Sequence, residues 1–179
     1  MGKNITGLSP HTICKHGIAR TFQVPRPFKN MSVLDNVVIS GIYCGGKDKD
    51  ESIKDAMDYI KFVGLYDKRD ILARNLNLNE MKMLELAAAL NTDPKIILID
   101  EIISGLNPTE TKHATDLILK LRDEMNITVF WIEHVMRAVM ATAEKIFVLH
   151  HGRLIAEGAP EEISENEAVI RSYLGEKHI

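Results

Sequence analysis

From Asp93-Pro94 onward the chain alternates short apolar runs with helix-patterned segments, and this rhythm constrains the fold more than any other feature. Ile96-Ile-Leu-Ile-Asp100 is four apolar residues closed by an acid, with Glu101 directly after, the pattern of a strand buried on both faces. Pro108 can open a helix carrying Ala114, Leu117, Ile118 and Leu121 on one side, and Ile127-Thr-Val-Phe-Trp-Ile132 reads as a second buried strand. Phe130 and Trp131 are then expected in the core. A further helix, a strand at Ile146-Phe-Val-Leu149, a turn at His151-Gly152 and a last strand near Arg153-Leu-Ile-Ala156 continue the alternation. Strands separated by helices pair in parallel, because the crossover needs a helix's length of chain. The predicted class is α/β with a largely parallel sheet.

The preceding stretch has a different texture. Ser32-Val-Leu-Asp35 is a capping arrangement that opens a helix through Val37, Val38 and Ile42, ending at Gly45-Gly46. Ile53, Met57, Ile60 and Val63 share one face of a second helix, and Met81, Leu84, Ala87, Ala88 and Leu90 mark a third. Lys47-Asp48-Lys49-Asp50-Glu51 alternates in sign and predicts a solvated loop.

Net charge is -3, from 22 Lys and Arg against 25 Asp and Glu, which gives no electrostatic case for nucleic acid or an anionic membrane surface as the main partner. The apolar runs fall far short of the ~18 residues that span a bilayer. Two cysteines make no disulfide framework and no leader pattern opens the sequence, so a reducing, cytoplasmic setting is expected.

Gly41-Ile-Tyr-Cys-Gly-Gly-Lys-Asp48 comes within one residue of the phosphate-gripping motif G-x-x-x-x-G-K-[ST]. Its context is wrong: a helix pattern precedes it where a buried strand is needed, and Asp48 occupies the Ser/Thr place, where a carboxylate would repel phosphate. It reads as an inter-helix loop. His11, Cys14 and His16, with His150-His151 elsewhere, offer zinc-type ligands without the tight pairing of a zinc site. No G-x-S-x-G or G-x-G-x-x-G pattern occurs.

Asp100 and Glu101 close a predicted buried strand, where parallel sheets keep their ligand sites; an aspartate there can hold Mg²⁺ and a glutamate can polarise water. Strands often end in acids, so the pair alone leaves a structural role open. Ser104-Gly-Leu-Asn107-Pro108 follows at once, Trp131-Ile-Glu-His134 ends the next strand, and Arg20-Thr-Phe-Gln23 precedes the helical segment. This ordered set resembles the ATP-binding subunits of ABC transporters, a P-loop NTPase (RecA-like) fold with an inserted helical subdomain. Gly17-Ile-Ala-Arg-Thr-Phe-Gln23, Ser32-Val-Leu-Asp-Asn-Val37, Gly152-Arg-Leu-Ile-Ala-Glu-Gly158 and Ser172-Tyr-Leu-Gly175 are similar to the branch that energises branched-chain amino-acid uptake.

The resemblance implies ATP and Mg²⁺ as cofactors, Asp100 as metal support, Glu101 as general base, His134 as γ-phosphate sensor and Gln23 as a metal and coupling contact. It implies Ser104 to Asn107 as the D-loop and Asn77, Asn79 and Glu80 as the signature loop that reaches the phosphate of an opposite subunit. The partners implied are a second ATPase subunit, identical or homologous, and membrane permease subunits that dock on the helical subdomain and Q-loop. The expected domains are a partial core over 1–28, a helical subdomain over 29–91 and the remaining core over 92–179.

Two departures bear on activity. The signature reads Leu76-Asn-Leu-Asn-Glu80 where the family has glycine, and Asn79, expected in a left-handed backbone, would crowd a phosphate. The family's P-loop and adenine-stacking aromatic lie upstream of the segment matching Gly2-Lys-Asn-Ile-Thr6, so a chain starting at Met1 is expected to lack the cradle and to be inactive alone. The alternative expectation is a non-catalytic pseudo-ATPase that pairs with a complete homologue. Loss of the first strands would also leave one side of a sheet open and the monomer prone to aggregate.

Overall fold

A computed structural model describes residues 2–174. The chain divides into two compact units, Met1–Glu133 and His134–Ile179. Among the described residues no helix is long and apolar enough to cross a membrane.

The first unit is built on three parallel strands in the order β1 (Ile18–Arg20), β2 (Ile96–Asp100), β3 (Thr128–Ile132). Helix α1 (Pro10–Lys15) leads into β1, and α5 (Pro108–Asp123) is the crossover from β2 to β3. Pro108 sits in the first turn of α5 and Asn107 caps it, while Ala114, Leu117, Ile118 and Leu121 are all buried. The sheet is less enclosed than the apolar runs predict. Ile97 and Ile99 are buried but Ile96 and Leu98 are only half-buried, and no residue of β3 is buried, with Phe130 52% and Ile132 53% exposed. The expectation of strands buried on both faces, with Phe130 in the core, is therefore corrected. Helix α4 packs on β1 and α5 on β3.

Between β1 and β2 lies the helical insertion: α2 (Val33–Ser40), a π-helical turn at Gly41–Gly45, α3 (Lys49–Phe62) and α4 (Leu78–Leu90). Ser32 caps α2 in a reciprocal box with Asp35. The three helices close on buried polar groups: Asn91 Nδ2 donates to Val37 O (2.9 Å) and Ser52 Oγ (3.1 Å), and Ser40 Oγ donates to Ala88 O (2.6 Å).

Packing explains the glycines of the near-miss phosphate motif. A Cβ on Gly41 would lie 2.3 Å from Ser52 Oγ and 2.6 Å from Asn91 Nδ2, and Gly46 ends the turn at φ 74°, in the left-handed region. The charge run that follows is not a solvated loop. Asp48 caps α3 by accepting from Glu51 N (2.9 Å), and Lys47 is buried, its Nζ bonded to Asp55 (2.6 Å), Asp93 (2.9 Å) and Asn91 Oδ1 (3.3 Å). Desolvation pulls this ammonium's pKa down, but the two carboxylates outweigh it and hold the group above its ordinary value.

The second unit holds α6 (Met136–Thr142), an antiparallel hairpin of β4 (Ile146–His150) and β5 (Arg153–Gly158), and helices α7 (Pro160–Ser164) and α8 (Glu167–Leu174). The turn falls at His151 and Gly152, both at positive φ. Ile146, Val148, Ile163 and Val169 form its core, while Phe147 and Leu149 alternate outward. Gly175, the end of the Ser172-Tyr-Leu-Gly175 match, lies outside the described residues.

Candidate functional site

Strand β2 delivers Asp100 and Glu101 to the carboxyl edge of the sheet, and parallel pairing brings the end of β1 beside them. Arg20 pairs with Leu98, so Asp100, two residues on, lies on the same face; Arg20 Nη2 donates to Asp100 Oδ2 at 3.1 Å. Three residues past Arg20, Gln23 Nε2 donates to Glu101 Oε2 at 2.6 Å. Residues 78 positions apart in sequence thus meet at one edge.

Glu101 leaves the strand at φ 46°, a left-handed conformation that costs a non-glycine residue about 1–2 kcal/mol. Hydrogen bonds hold it there. Its N–H donates to Ile132 O (2.9 Å), and its carbonyl accepts from Ser104 N (3.3 Å) and from Lys82 Nζ (3.1 Å). The reversal starts the loop through Ser104 to Asn107.

Other expected site residues are occupied in local structure. Asn107 Oδ1 accepts from Glu110 N (3.0 Å), capping α5. Asn77 and Glu80 form a reciprocal box at the start of α4: Asn77 Oδ1 accepts from Glu80 N (2.9 Å) and Asn77 N donates to Glu80 Oε2 (3.0 Å). Glu80 also pairs with Lys68. Burial would raise the Glu80 pKa, but Lys68 and the Asn77 N–H together lower it. Asn79 is in the first turn of α4 and is not among the positive-φ residues, which corrects the left-handed backbone expected there. A capped helix fixes right-handed dihedrals from its first residue; the Asn79 Oδ1 is buried with no hydrogen-bond partner. His134 is an exposed residue that opens the second unit, two residues before α6.

Three features escaped the sequence reading. Lys82, on α4, is 4% exposed and its ammonium donates to three backbone carbonyls, those of Glu101, Ile102 and Ser104. Glu85, one turn on, lines an apolar groove of about 560 Å³ with Arg26, Phe28, Ile39, Tyr43 and Leu84. Desolvation pushes its carboxyl up to about 7, against the opposing pull of the Phe22 backbone N–H and Lys82. The Arg20–Asp100 pair is the third. A charged residue inside an apolar helical pattern was the only signal for Lys82 and Glu85.

With this geometry in view, comparison with known proteins is direct. The sequence profile described as ABC transporter matches residues 2–104, and that described as Branched-chain amino acid ATP-binding cassette transporter matches residues 153–179. The chain is 35% identical, over 97% of its own length and 74% of the relative's, to the high-affinity branched-chain amino acid transport ATP-binding protein LivG of Escherichia coli. It is also 35% identical to BraF, a protein of the same description from Pseudomonas aeruginosa, over 98% of its length and 74% of the relative's.

The chain belongs to the ABC transporter ATP-binding cassette family.

Solved structures agree. An ATP-binding cassette of an ABC transporter in its ADP conformation superposes with a TM-score of 0.81 at 31% identity, covering 97% of this chain and 74% of that one. A nucleotide-free cassette from an ABC transporter gives 0.82 at 30%, covering 97% and 75%. The P-loop NTPase fold expected from the motifs is thereby established.

The donors present in this cassette suit Mg²⁺ that arrives with a nucleotide. Mg²⁺ keeps several waters and takes only one or two protein carboxylates alongside phosphate oxygens, and the edge supplies Asp100 and the amide oxygen of Gln23, whose Nε2 is turned to Glu101. Among the described residues no cluster of three or more His, Cys, Asp or Glu could hold a metal by itself. His11 Nε2 is bonded to Ser9 Oγ (3.2 Å), and Cys14 faces Cys44 and Thr92.

Proposed function

We propose that the chain is the ATP-binding subunit of an importer of branched-chain amino acids and that its β2 edge is the hydrolytic site. The observation that carries this reading is the 2.6 Å bond from Gln23 Nε2 to Glu101 Oε2, beside Asp100 at the end of a parallel strand. Glu101 accepts the proton of the attacking water as general base, a role worth about 10²–10⁴-fold in rate. Gln23 fixes the orientation of that carboxylate, and Asp100 with Gln23 would hold the metal. Mg²⁺ bound with ATP supplies charge neutralisation on the phosphate oxygens. His134 senses the γ-phosphate, and Ser104 to Asn107 with Asn77, Asn79 and Glu80 face a second ATPase subunit.

The relatives named for branched-chain amino acid transport support the substrate class. The groove beside Phe28 and Leu84 supports docking of a permease helix, and a position on the cytoplasmic face of the membrane is part of the same proposal. Turnover is measured in the assembly with permease and second ATPase subunit. There, Glu101→Gln is expected to lower kcat about a hundredfold or more while ATP analogue binding is retained. A second reading, a non-catalytic partner of a complete homologue, is favoured by the commitment of Asn77 and Glu80 to capping α4. Unchanged turnover in Glu101→Gln would select it.

A further inference from the structure

We propose that Lys82 is the positioning residue for Glu101: its buried ammonium holds the backbone of the Glu101–Ser104 turn and so ties α4 to the carboxylate at the edge of β2. Its Nζ donates to Glu101 O (3.1 Å), Ile102 O (3.0 Å) and Ser104 O (2.6 Å), which uses all three of its N–H donors on one turn. An unpaired ammonium this buried would be strongly unfavourable: burial pulls its pKa below the ordinary value, against the opposing charge of Glu133, Glu101 and Glu85, and three carbonyl dipoles solvate it.

The opposite side of the turn is held too. Glu133 Oε1 accepts from Ile103 N at 3.1 Å, so carbonyls and an amide of one four-residue segment are fixed by side chains from α4 and from the residue that follows β3. That is what a left-handed Glu101 needs, since no glycine relieves its strain. Contact continues along α4: a Cβ on Gly105 would lie 3.7 Å from Leu78 Cδ2, next to the Asn77–Glu80 cap. Displacement of α4 therefore moves the turn that carries Glu101. The role of Glu101 in hydrolysis rests on the function proposed above; the clamp does not.

The test uses the full chain with Lys82→Met, which keeps the apolar stem and removes the donors, and Lys82→Arg, which restores them. Amide exchange at Ile103, Ser104 and Leu106 is expected to rise about tenfold in Lys82→Met, with Ile97–Ile99 and α5 unchanged, and to recover in Lys82→Arg. A uniform rise across the unit, or no rise, overturns the clamp. Should Lys82→Met not fold, the unsubstituted chain decides: a slowly exchanging Lys82 ammonium resonance at neutral pH supports the proposal and its absence overturns it. In the assembly, Lys82→Met is expected to lower kcat about tenfold with KM for ATP within about twofold, and an unchanged kcat overturns the positioning role. If Glu101→Gln leaves turnover intact, the general-base reading fails while amide exchange still decides the clamp.

Discussion

Glu85 carries its carboxyl in an apolar groove, and burial pushes it up to about 7. The folded state then holds a proton that the unfolded state releases near the ordinary value of about 4.5, so folding binds protons between those two values and stability falls as pH rises through about 4.5 to 7. Glu85→Gln is expected to flatten this slope and to raise the urea midpoint at pH 8 above that of the unsubstituted chain. An unchanged slope would show that the groove solvates the carboxylate. Lys47 is the opposite case, a buried cation between Asp55 and Asp93. Removing it takes the ammonium from two carboxylates and Asn91 Oδ1, leaving Asp93 the Tyr59 hydroxyl at 3.5 Å. Both carboxylates retain some solvent, so Lys47→Met is expected to cost about 2–3 kcal/mol, at or below the low end for broken buried pairs, read from denaturant unfolding. Neither environment is legible locally: Lys47 stands in an alternating charge run, and its partners are 8 and 46 residues away.

At the scale of elements, α4 sets two opposing effects side by side. Asn77 caps it through a reciprocal bond with Glu80, and Asn77→Ala is expected to cost about 1 kcal/mol. Asn79 leaves a buried acceptor unsatisfied within the same first turn, so Asn79→Ala, a better helix former, is expected to be neutral or to stabilise by up to about 1 kcal/mol. Thermal melts of both variants check the pair; a clear loss in Asn79→Ala would mean that Oδ1 is bonded in solution. The capped start at Ser32 and the proline at the head of α5 were readable because these signals act over a few residues. The cap at Asn77 was not read, because a helix start there competed with a phosphate-binding loop, and sequence does not rank the two.

For the whole molecule, the open side of the sheet matters most. Phe130 and Ile132 are more than half exposed on β3, and such surface associates. Phe130→Thr with Ile132→Thr keeps β-branched residues on the strand and is expected to reduce concentration-dependent association in sedimentation experiments, with little change in the unfolding midpoint. Equal association by both proteins would place the sticky surface elsewhere. The apolar run of β3 announced a strand correctly, yet burial depends on which layers cover the sheet, and no property of the run encodes that.

The sequence by itself determined the alternation of strands and helices from Asp93 to Ala156, the starts of α2 and α5 and the placement of Asp100 and Glu101 at a strand's carboxyl edge, because periodicity, capping and proline act within a few residues. Only the tertiary structure decided that Gln23 reaches Glu101, that Lys82 and Glu133 grip the turn beyond it, and that Gly41 serves packing against Ser52 and Asn91. Those are meetings of residues tens of positions apart, and they exist only once parallel pairing and the α2–α4 cluster have closed those separations in space.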